Sequence, residues 1–387
     1  MRQYRYLVLS DTSYASRNAN GYQKLKLVEN SLSGRIVIPK GREQWVHAEF
    51  RTNAERITLP AFFLTKLMSK IFQPLLALMV AYRYRGSGVR WIYPVSNEFT
   101  LGAAWLLGLC GVSPWLVMWD PPGVSLRDGK NRRARVRCAI MDFMLRKAVA
   151  VSRGLLLNLH PGFCDGRMTS KQLSKVHCFV NGSQVEACRT VVGDMVKIPG
   201  RIGINSQMEP EKGCWRLCEV IERLCRDVPS ASIVWIGSGS CYGRIVDRFD
   251  SMGLLGRRVF LPGFKPHDEA LKLMAASSLG LNFYEDMPSL RWNYVLKLPE
   301  FMALGIPIVS PDLPGSREYL LKTGAGELFP AGDVDGAIKA VVKIINDDGL
   351  LRDMAKCAYE AAAKYSWDRI NENIAKVIHQ EDACENA

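Results

Sequence analysis

Short apolar runs alternate with amphipathic stretches along most of the 387 residues. The runs at 6–9, 35–38, 91–93, 115–118, 154–157 and 177–180 read as strands. They are too short for helices, and their near-continuous apolar character is that of a strand covered on both faces. Between them, 100–109 and 132–148 carry the spacing of amphipathic helices. The rhythm restarts after residue 195, with strands expected at 202–205, 232–236, 258–261, 279–283 and 306–309. Helices are expected at 215–225, 243–252, 268–275 and 296–303. This is the alternation of a parallel sheet with helices on both faces, written twice.

Two sheets in series imply an α/β protein of two Rossmann-like domains with a cleft between them. The expected boundaries are 1–182 for the first domain, 183–200 for a linker and 201–365 for the second. A C-terminal helix and tail at 366–387 would pack back on the first domain. The length agrees, since 387 residues exceed one ordinary core. The stretch 59–81 is the most lipid-like, but Lys66, Lys70, Gln73 and Pro74 interrupt it. It falls short of the ~20 apolar residues of a membrane span and reads as an amphipathic helix broken near Pro74. The N-terminus reads as a strand rather than a signal peptide.

Charge changes this picture. The net charge is +13, yet residues 1–190 carry 28 Lys+Arg against 11 Asp+Glu, and residues 191–387 carry 23 against 27. A basic first half points to a polyanionic partner, an anionic membrane surface or a nucleic acid, or else to a plain solubility surplus. The cluster Lys130, Arg132, Arg133, Arg135 and Arg137 lacks interleaved aromatics, and no nucleic-acid motif is present, so no nucleic-acid partner is expected. Apolar Phe62, Phe63, Leu67, Ile71 and Phe72, beside Lys66 and Lys70, fit insertion at a membrane surface. The eleven cysteines include no CxxC pair and no zinc spacing, so reduced, mostly buried thiols and no metal site are expected.

The candidate chemistry lies in the second half. Gly237-Ser238-Gly239 follows a strand, where glycines let a backbone approach a ligand and a following helix offers N–H groups to an anion. Tight packing explains such glycines equally well. Lys212-Gly213 opens a helix, where a lysine can neutralise phosphate or simply face solvent. Lys297 and Glu300 share one helical face. Lysine suits a diphosphate, and a carboxylate can accept from both hydroxyls of a ribose. The alternative is a surface ion pair worth ~0.2–0.5 kcal/mol.

In order, these elements resemble family 4 glycosyltransferases and their bacterial exopolysaccharide relatives. The ordered set is Lys212-Gly213, Gly237-Ser238-Gly239, Val259 to Gly263, and Lys297 through Glu300 to Gly305-Ile306-Pro307-Ile308-Val309. It continues with Gly315-Ser316-Arg317-Glu318, Phe329-Pro330-Ala331-Gly332-Asp333 and Tyr365-Ser366-Trp367. It covers about residues 200–380, with looser likeness at Asp120-Pro121-Pro122 and Asn181-Gly182. The resemblance implies the GT-B fold and a retaining glycosyltransferase whose substrate is a nucleoside-diphosphate sugar, with no cofactor and no metal. It gives Glu300 the nucleotide ribose, Lys212 and Lys297 the diphosphate, and the backbone near Gly263, Phe264 and Lys265 the base. Two positions depart from the pattern. Trp292 stands where many members carry a second Glu, and Ser206 where many carry an Arg.

In this architecture the first domain binds the acceptor. A polyprenyl-diphosphate-linked or other glycan acceptor is expected, in bacterial surface polysaccharide synthesis at the cytoplasmic face of the plasma membrane. Asp120, after a strand and before a Pro-Pro turn, is expected to orient the acceptor or assist as base, or else to serve as a turn residue. His160 is a weaker candidate on the same grounds. The competing functions are a sugar-nucleotide epimerase of the same fold and a catalytically silent subunit of a partner glycosyltransferase.

Overall fold

The computed structural model describes residues 5–9, 26–39, 55–58, 73–84, 89–95, 97–120, 123–128, 131–193 and 195–384. The chain divides into two compact units, Met1–Val180 with Asp368–Ala387, and Asn181–Trp367.

The first unit is built on seven parallel strands: β1 (Arg5–Leu9), β2 (Arg35–Pro39), β3 (Glu55–Ile57), β4 (Val89–Pro94), β5 (Trp115–Met118), β6 (Gly154–Leu157) and β7 (Val176–Cys178). Their order is β3-β2-β1-β4-β5-β6-β7. Helices α1 (Gln73–Arg83), α2 (Glu98–Leu109) and α3 (Arg132–Val151) connect strands. Helix α1 starts at Gln73, so Pro74 occupies its first turn, where a missing N–H costs nothing. The rest of the expected 59–81 segment lies outside the described residues. Asn97 caps α2 by accepting from Phe99 and Thr100, and Asn131 caps α3 by accepting from Ala134 N at 2.7 Å. No described helix is long and apolar enough to cross a membrane.

The centre of this sheet explains one glycine. A Cβ on Gly154 would stand 2.4 Å from the ring of Trp115 on the neighbouring strand. Trp115 is fully buried, and its indole N–H donates to Asp382 Oδ1 at 3.3 Å. Asp382 also accepts from Tyr6 at 2.8 Å and from Arg153 at 3.3 Å. Its side chain is 2% exposed. The final helix, α12 (Trp367–Cys384), is thus tied by one buried carboxylate to β1, β5 and the turn before β6.

The second unit carries six parallel strands: β8 (Ile198–Asn205), β9 (Ser232–Ile236), β10 (Val259–Gly263), β11 (Ser277–Leu281), β12 (Ile308–Pro311) and β13 (Gly326–Phe329). Their order is β10-β9-β8-β11-β12-β13, so the direction of winding reverses between β8 and β11. Its helices are α4 (Val185–Val192), α5 (Cys214–Asp227), α6 (Tyr242–Ser251), α7 (His267–Ala275), α8 (Lys297–Ala303), α9 (Pro314–Leu320), α10 (Val334–Ile345) and α11 (Asp348–Ala362). On α5, Leu217, Ile221, Leu224 and Cys225 recur at helical spacing. They pack on Ile202, Ile204, Ile233 and Trp235 of the sheet.

One expectation needs correction. The stretch 183–200, read as a linker, is part of the second unit and contains α4. Val185 and Cys188 are buried on one face of this helix, which packs against α7 and α8. The chain enters and leaves the unit side by side. Ser183 N donates to Tyr365 O at 2.9 Å, and Trp367 N donates to Ser183 O at 3.1 Å. Asn181 is held there too, accepting from buried Tyr319 at 2.8 Å and donating to Tyr294 O.

All eleven cysteines are free thiols. Cys214 and Cys218, one turn apart on α5, are buried core groups, and burial pushes both thiols up to about 12. At neutral pH they are protonated and poor metal ligands or nucleophiles.

Candidate functional site

The loops leaving the C-terminal ends of β8, β9, β10 and β11 gather the expected residues of the second unit. This is where parallel sheets bind ligands, beside the strand at which the winding reverses. The β8 loop ends in Pro210-Glu211-Lys212, and Gly213, with φ of 74°, turns the chain into α5. A Cβ on Gly213 would meet Phe283 and Glu285 at 3.5 Å, so the loops from β8 and β11 lie against each other at the switch point.

The two glycines after β9 have a packing reason. A Cβ on Gly237 would fall 2.0 Å from Ser206 O, and one on Gly239 would fall 2.5 Å from Met208 O. Both glycines let the β9 loop lie on the β8 loop. Glu209 pins the arrangement by accepting from Ser240 N at 2.9 Å and from its hydroxyl. Those hydrogen bonds hold the Glu209 carboxyl below its ordinary range. Gly237 N also donates to Gly263 O at 3.0 Å, which draws in the end of β10. Gly263 has φ of 75°, Phe264 beyond it is 78% exposed, and Lys265 lies 3.9 Å from Glu269. Ser206, where many members of the family carry an Arg, is buried and accepts from the Trp235 indole N–H at 3.0 Å. It has become part of the fold.

Lys297 and Glu300 do not pair with each other. Glu300 meets His267 Nε2 at 2.7 Å, while Lys297 Nζ reaches Tyr284 Oη at 3.5 Å. Neither Lys212 nor Lys297 has a carboxylate partner among the described residues. Both are half-buried, so their charges are available to an anion at the ends of β8 and β11. A surface ion pair between 297 and 300 is therefore excluded. Glu285, next to Tyr284, is instead committed to Arg216 at 3.3 Å, which also holds Gly332 O at 2.8 Å.

Sequence reasoning missed His267. It opens α7, 33 positions from Glu300, and no motif spacing connects them. The hydrogen bond that His267 donates to Glu300 raises the His267 pKa against the opposing effect of burial. The sign follows. A raised folded-state pKa gives stability that is fully present below the unfolded value of about 6.5 and lost as pH rises through the folded value. An NMR titration is expected to place His267 above its ordinary value, and Glu300→Gln to bring it down. An unchanged titration in Glu300→Gln would show that the contact does not carry the shift.

In the first unit, Asp120 is exposed just beyond the C-terminal end of β5, and Pro121 and Pro122 lie outside the described residues. His160 Nδ1 accepts from Gly162 N at 3.2 Å, so this ring caps a short turn. Arg132, Arg133, Arg135 and Arg137 are exposed on α3, with Arg137 paired to Glu98. Val136, Ile140 and Phe143 are exposed among and beyond these arginines on the same helix. Phe62, Phe63, Lys66 and Lys70, with Leu67, Ile71 and Phe72, lie outside the described residues.

Residues 199–347 match the family model of the group 1 glycosyl transferases. This segment is similar to a group 1 glycosyl transferase domain. The domain spans the strands and loops just described, from β8 to the end of α10. Over 169 residues the chain is 29% identical to a phosphatidyl-myo-inositol mannosyltransferase of Mycolicibacterium smegmatis, covering 44% of this chain and 42% of that protein. The chain thus spans less than half the length of this curated relative. Two solved structures cover nearly the whole chain. The Anabaena protein HepE, in complex with UDP, superposes with a TM-score of 0.67 at 16% identity, covering 97% of this chain and 100% of that one. The sucrose-phosphate synthase of Thermosynechococcus elongatus gives 0.70 at 16% identity, with 98% and 100% covered. The fold is GT-B, with two Rossmann-like units in series.

Proposed function

We propose that the chain transfers a sugar, with retention of configuration, from a nucleoside-diphosphate sugar to a lipid-linked glycan acceptor in surface polysaccharide synthesis. The observation that carries this reading is the pair Lys212 and Lys297, without a carboxylate partner among the described residues, with Glu300 at the switch point of the stretch that matches the group 1 glycosyl transferases. HepE, of the same fold, was solved with UDP.

In this reading Glu300 accepts from the ribose hydroxyls, held in place by His267. Lys212 and Lys297 face the diphosphate. The acceptor oxygen forms its bond to the anomeric carbon as the bond to the leaving phosphate oxygen breaks. The proton of the acceptor passes to that phosphate oxygen. The charge growing on the diphosphate is met by fixed cations and backbone N–H groups that need no reorganisation. Transfer without a metal ion is part of the proposal. Activity is expected to survive EDTA, and loss on chelation restored by magnesium or manganese would refute that part.

A thermal-shift screen of nucleotide sugars tests the donor. A bound donor raises apparent stability in proportion to the logarithm of its concentration over Kd. Glu300→Gln is then expected to weaken the donor that scores, since a hydrogen bond to a charged group is worth ~1.5–3 kcal/mol. Unchanged affinity by calorimetry would remove Glu300 from the ribose. Nucleotide binding with no turnover on any acceptor would favour a silent subunit, for which Trp292 and the structural use of Ser206 give some ground.

The acceptor side is placed at an anionic membrane. Support comes from α3, where exposed Arg132, Arg133, Arg135 and Arg137 accompany exposed Val136, Ile140 and Phe143. Each basic residue near anionic lipid contributes ~1 kcal/mol. Pelleting with anionic liposomes is expected to fall when these four arginines become Glu, and to weaken with salt. Equal pelleting with neutral vesicles would remove the electrostatic argument.

A further inference from the structure

A cavity of about 500 Å³ runs beside β10, the edge strand of the second unit. Its walls come from β8 to β10 and from α6 and α7. They include Val234, Tyr242, Phe260, Leu261, Leu273 and one charged residue, Arg201. Alternation along β8 explains how an arginine reaches this place. Ile202 and Ile204 turn into the core beneath α5. Arg201 and Gly203 turn to the other face, where a Cβ on Gly203 would meet Met274 of α7 at 2.3 Å.

Arg201 is unlike the nearby arginines. Arg258 gives its guanidinium to Ala231 O and to Val228 O at 2.7 Å. Arg248 pairs with Glu222. The Arg201 guanidinium lies 5.5 Å from the centroid of Phe260. Its Nε is buried without a hydrogen-bond partner, and among the described residues no acid pairs with it. Burial lowers its pKa, as it does for a cation with no counter-charge nearby. The residue is half-buried with only its Nε enclosed, so the rest of the planar fork is open to a ligand, and that fork matches a carboxylate.

The place is separate from the phosphate-facing loops. Arg201 pairs in register with Ser232, the first residue of β9, whereas Asn205 pairs with Ile236, the last. Four residues of strand put Arg201 ~13 Å from the switch-point end of β8.

We propose that this cavity binds a single-chain organic monoanion, an alkyl carboxylate, with its head on Arg201 and its chain along Phe260 and Leu273. One cation selects one negative charge. The remaining walls are almost wholly apolar, so the body of the ligand must be too. The site adds a second ligand to the protein, away from Lys212 and Lys297, although Leu261 and Pro262 in its wall adjoin the Gly263 turn expected to face the base.

Calorimetric titration of the full chain with decanoate, and with the uncharged decanamide, tests this. Decanoate is expected to bind at least about tenfold more tightly than the amide, because a hydrogen bond to a charged group is worth ~1.5–3 kcal/mol. Arg201→Met is expected to abolish that preference. Leu273→Trp, which fills the cavity and leaves Arg201 alone, is expected to abolish binding, and it serves if Arg201→Met does not fold. Lys212→Ala and Lys297→Ala should leave decanoate affinity unchanged. Equal affinity for acid and amide, or no heat with decanoate, overturns the proposal. So does loss of binding in the lysine variants, which would move the anion to the switch point.

Discussion

Lys297→Ala and Lys212→Ala are each expected to slow sugar transfer about 100-fold, the usual cost of losing one fixed electrostatic donor to a developing charge. The expectation rests on where the two charges stand. Lys297 opens α8 and among the described residues reaches Tyr284 at 3.5 Å, while its helical neighbour Glu300 is committed to His267 at 2.7 Å. Lys212 precedes the left-handed Gly213 at the entrance of α5. An alanine at either position removes a cation that no described carboxylate neutralises, so the fold loses little and the leaving diphosphate loses much. Single-turnover measurements with the donor identified by thermal shift separate the chemical step from binding. Lys297→Arg, which keeps the charge, should recover part of the rate. A turnover within twofold of the parent in both alanine variants would show that the diphosphate is held elsewhere.

The largest effect on stability is expected in the other unit. Asp382→Ala should destabilise it by about 3–5 kcal/mol, the range for removing one partner of a buried charged network. The carboxylate accepts from Tyr6, Trp115 and Arg153, and Arg90 Nε lies 4.0 Å away. Alanine removes the acceptor for a buried hydroxyl and a buried indole, and the counter-charge for Arg153. Asp382→Asn should cost less, because an amide oxygen can still accept from Tyr6. Urea unfolding followed by tryptophan fluorescence gives the size of the loss. Hydrogen exchange along Trp367–Cys384 shows whether the helix opens first. A change below ~1 kcal/mol would place Asp382 among ordinary surface substitutions.

How far the sequence reveals these features depends on how local their causes are. The buried strands were legible because strands covered on both faces are written as unbroken apolar runs, such as 115–118 and 232–236. The strands that escaped notice, Glu55–Ile57 and Gly326–Phe329, are edge strands. An edge is only partly covered, so Gly-Glu-Leu-Phe has no apolar run to show. The segment 183–200 looked polar because α4 hides only Val185 and Cys188. Lys212, Lys297 and Glu300 could be singled out because their places in the chain follow an ordered pattern. His267 and Asp382 follow none. Their partners lie 33 and up to 376 positions away, and only the folded sheet brings them together. The Arg201 cavity was equally silent, since an arginine in a strand carries no sign of a missing counter-ion.

The division of the chain has a consequence for its synthesis. The first unit is interrupted after Val180 and is completed only by Asp368–Ala387, whereas the second is one continuous stretch. A ribosome therefore finishes the second unit before it supplies the carboxylate that ties β1 and β5 to α12. Between Val180 and Asp382 lie about 200 residues, or roughly 10–40 s at 5–20 residues per second. For that interval the first unit lacks its last helix, and the indole of Trp115 and the hydroxyl of Tyr6 lack Asp382. The second unit is thus the first that can be completed.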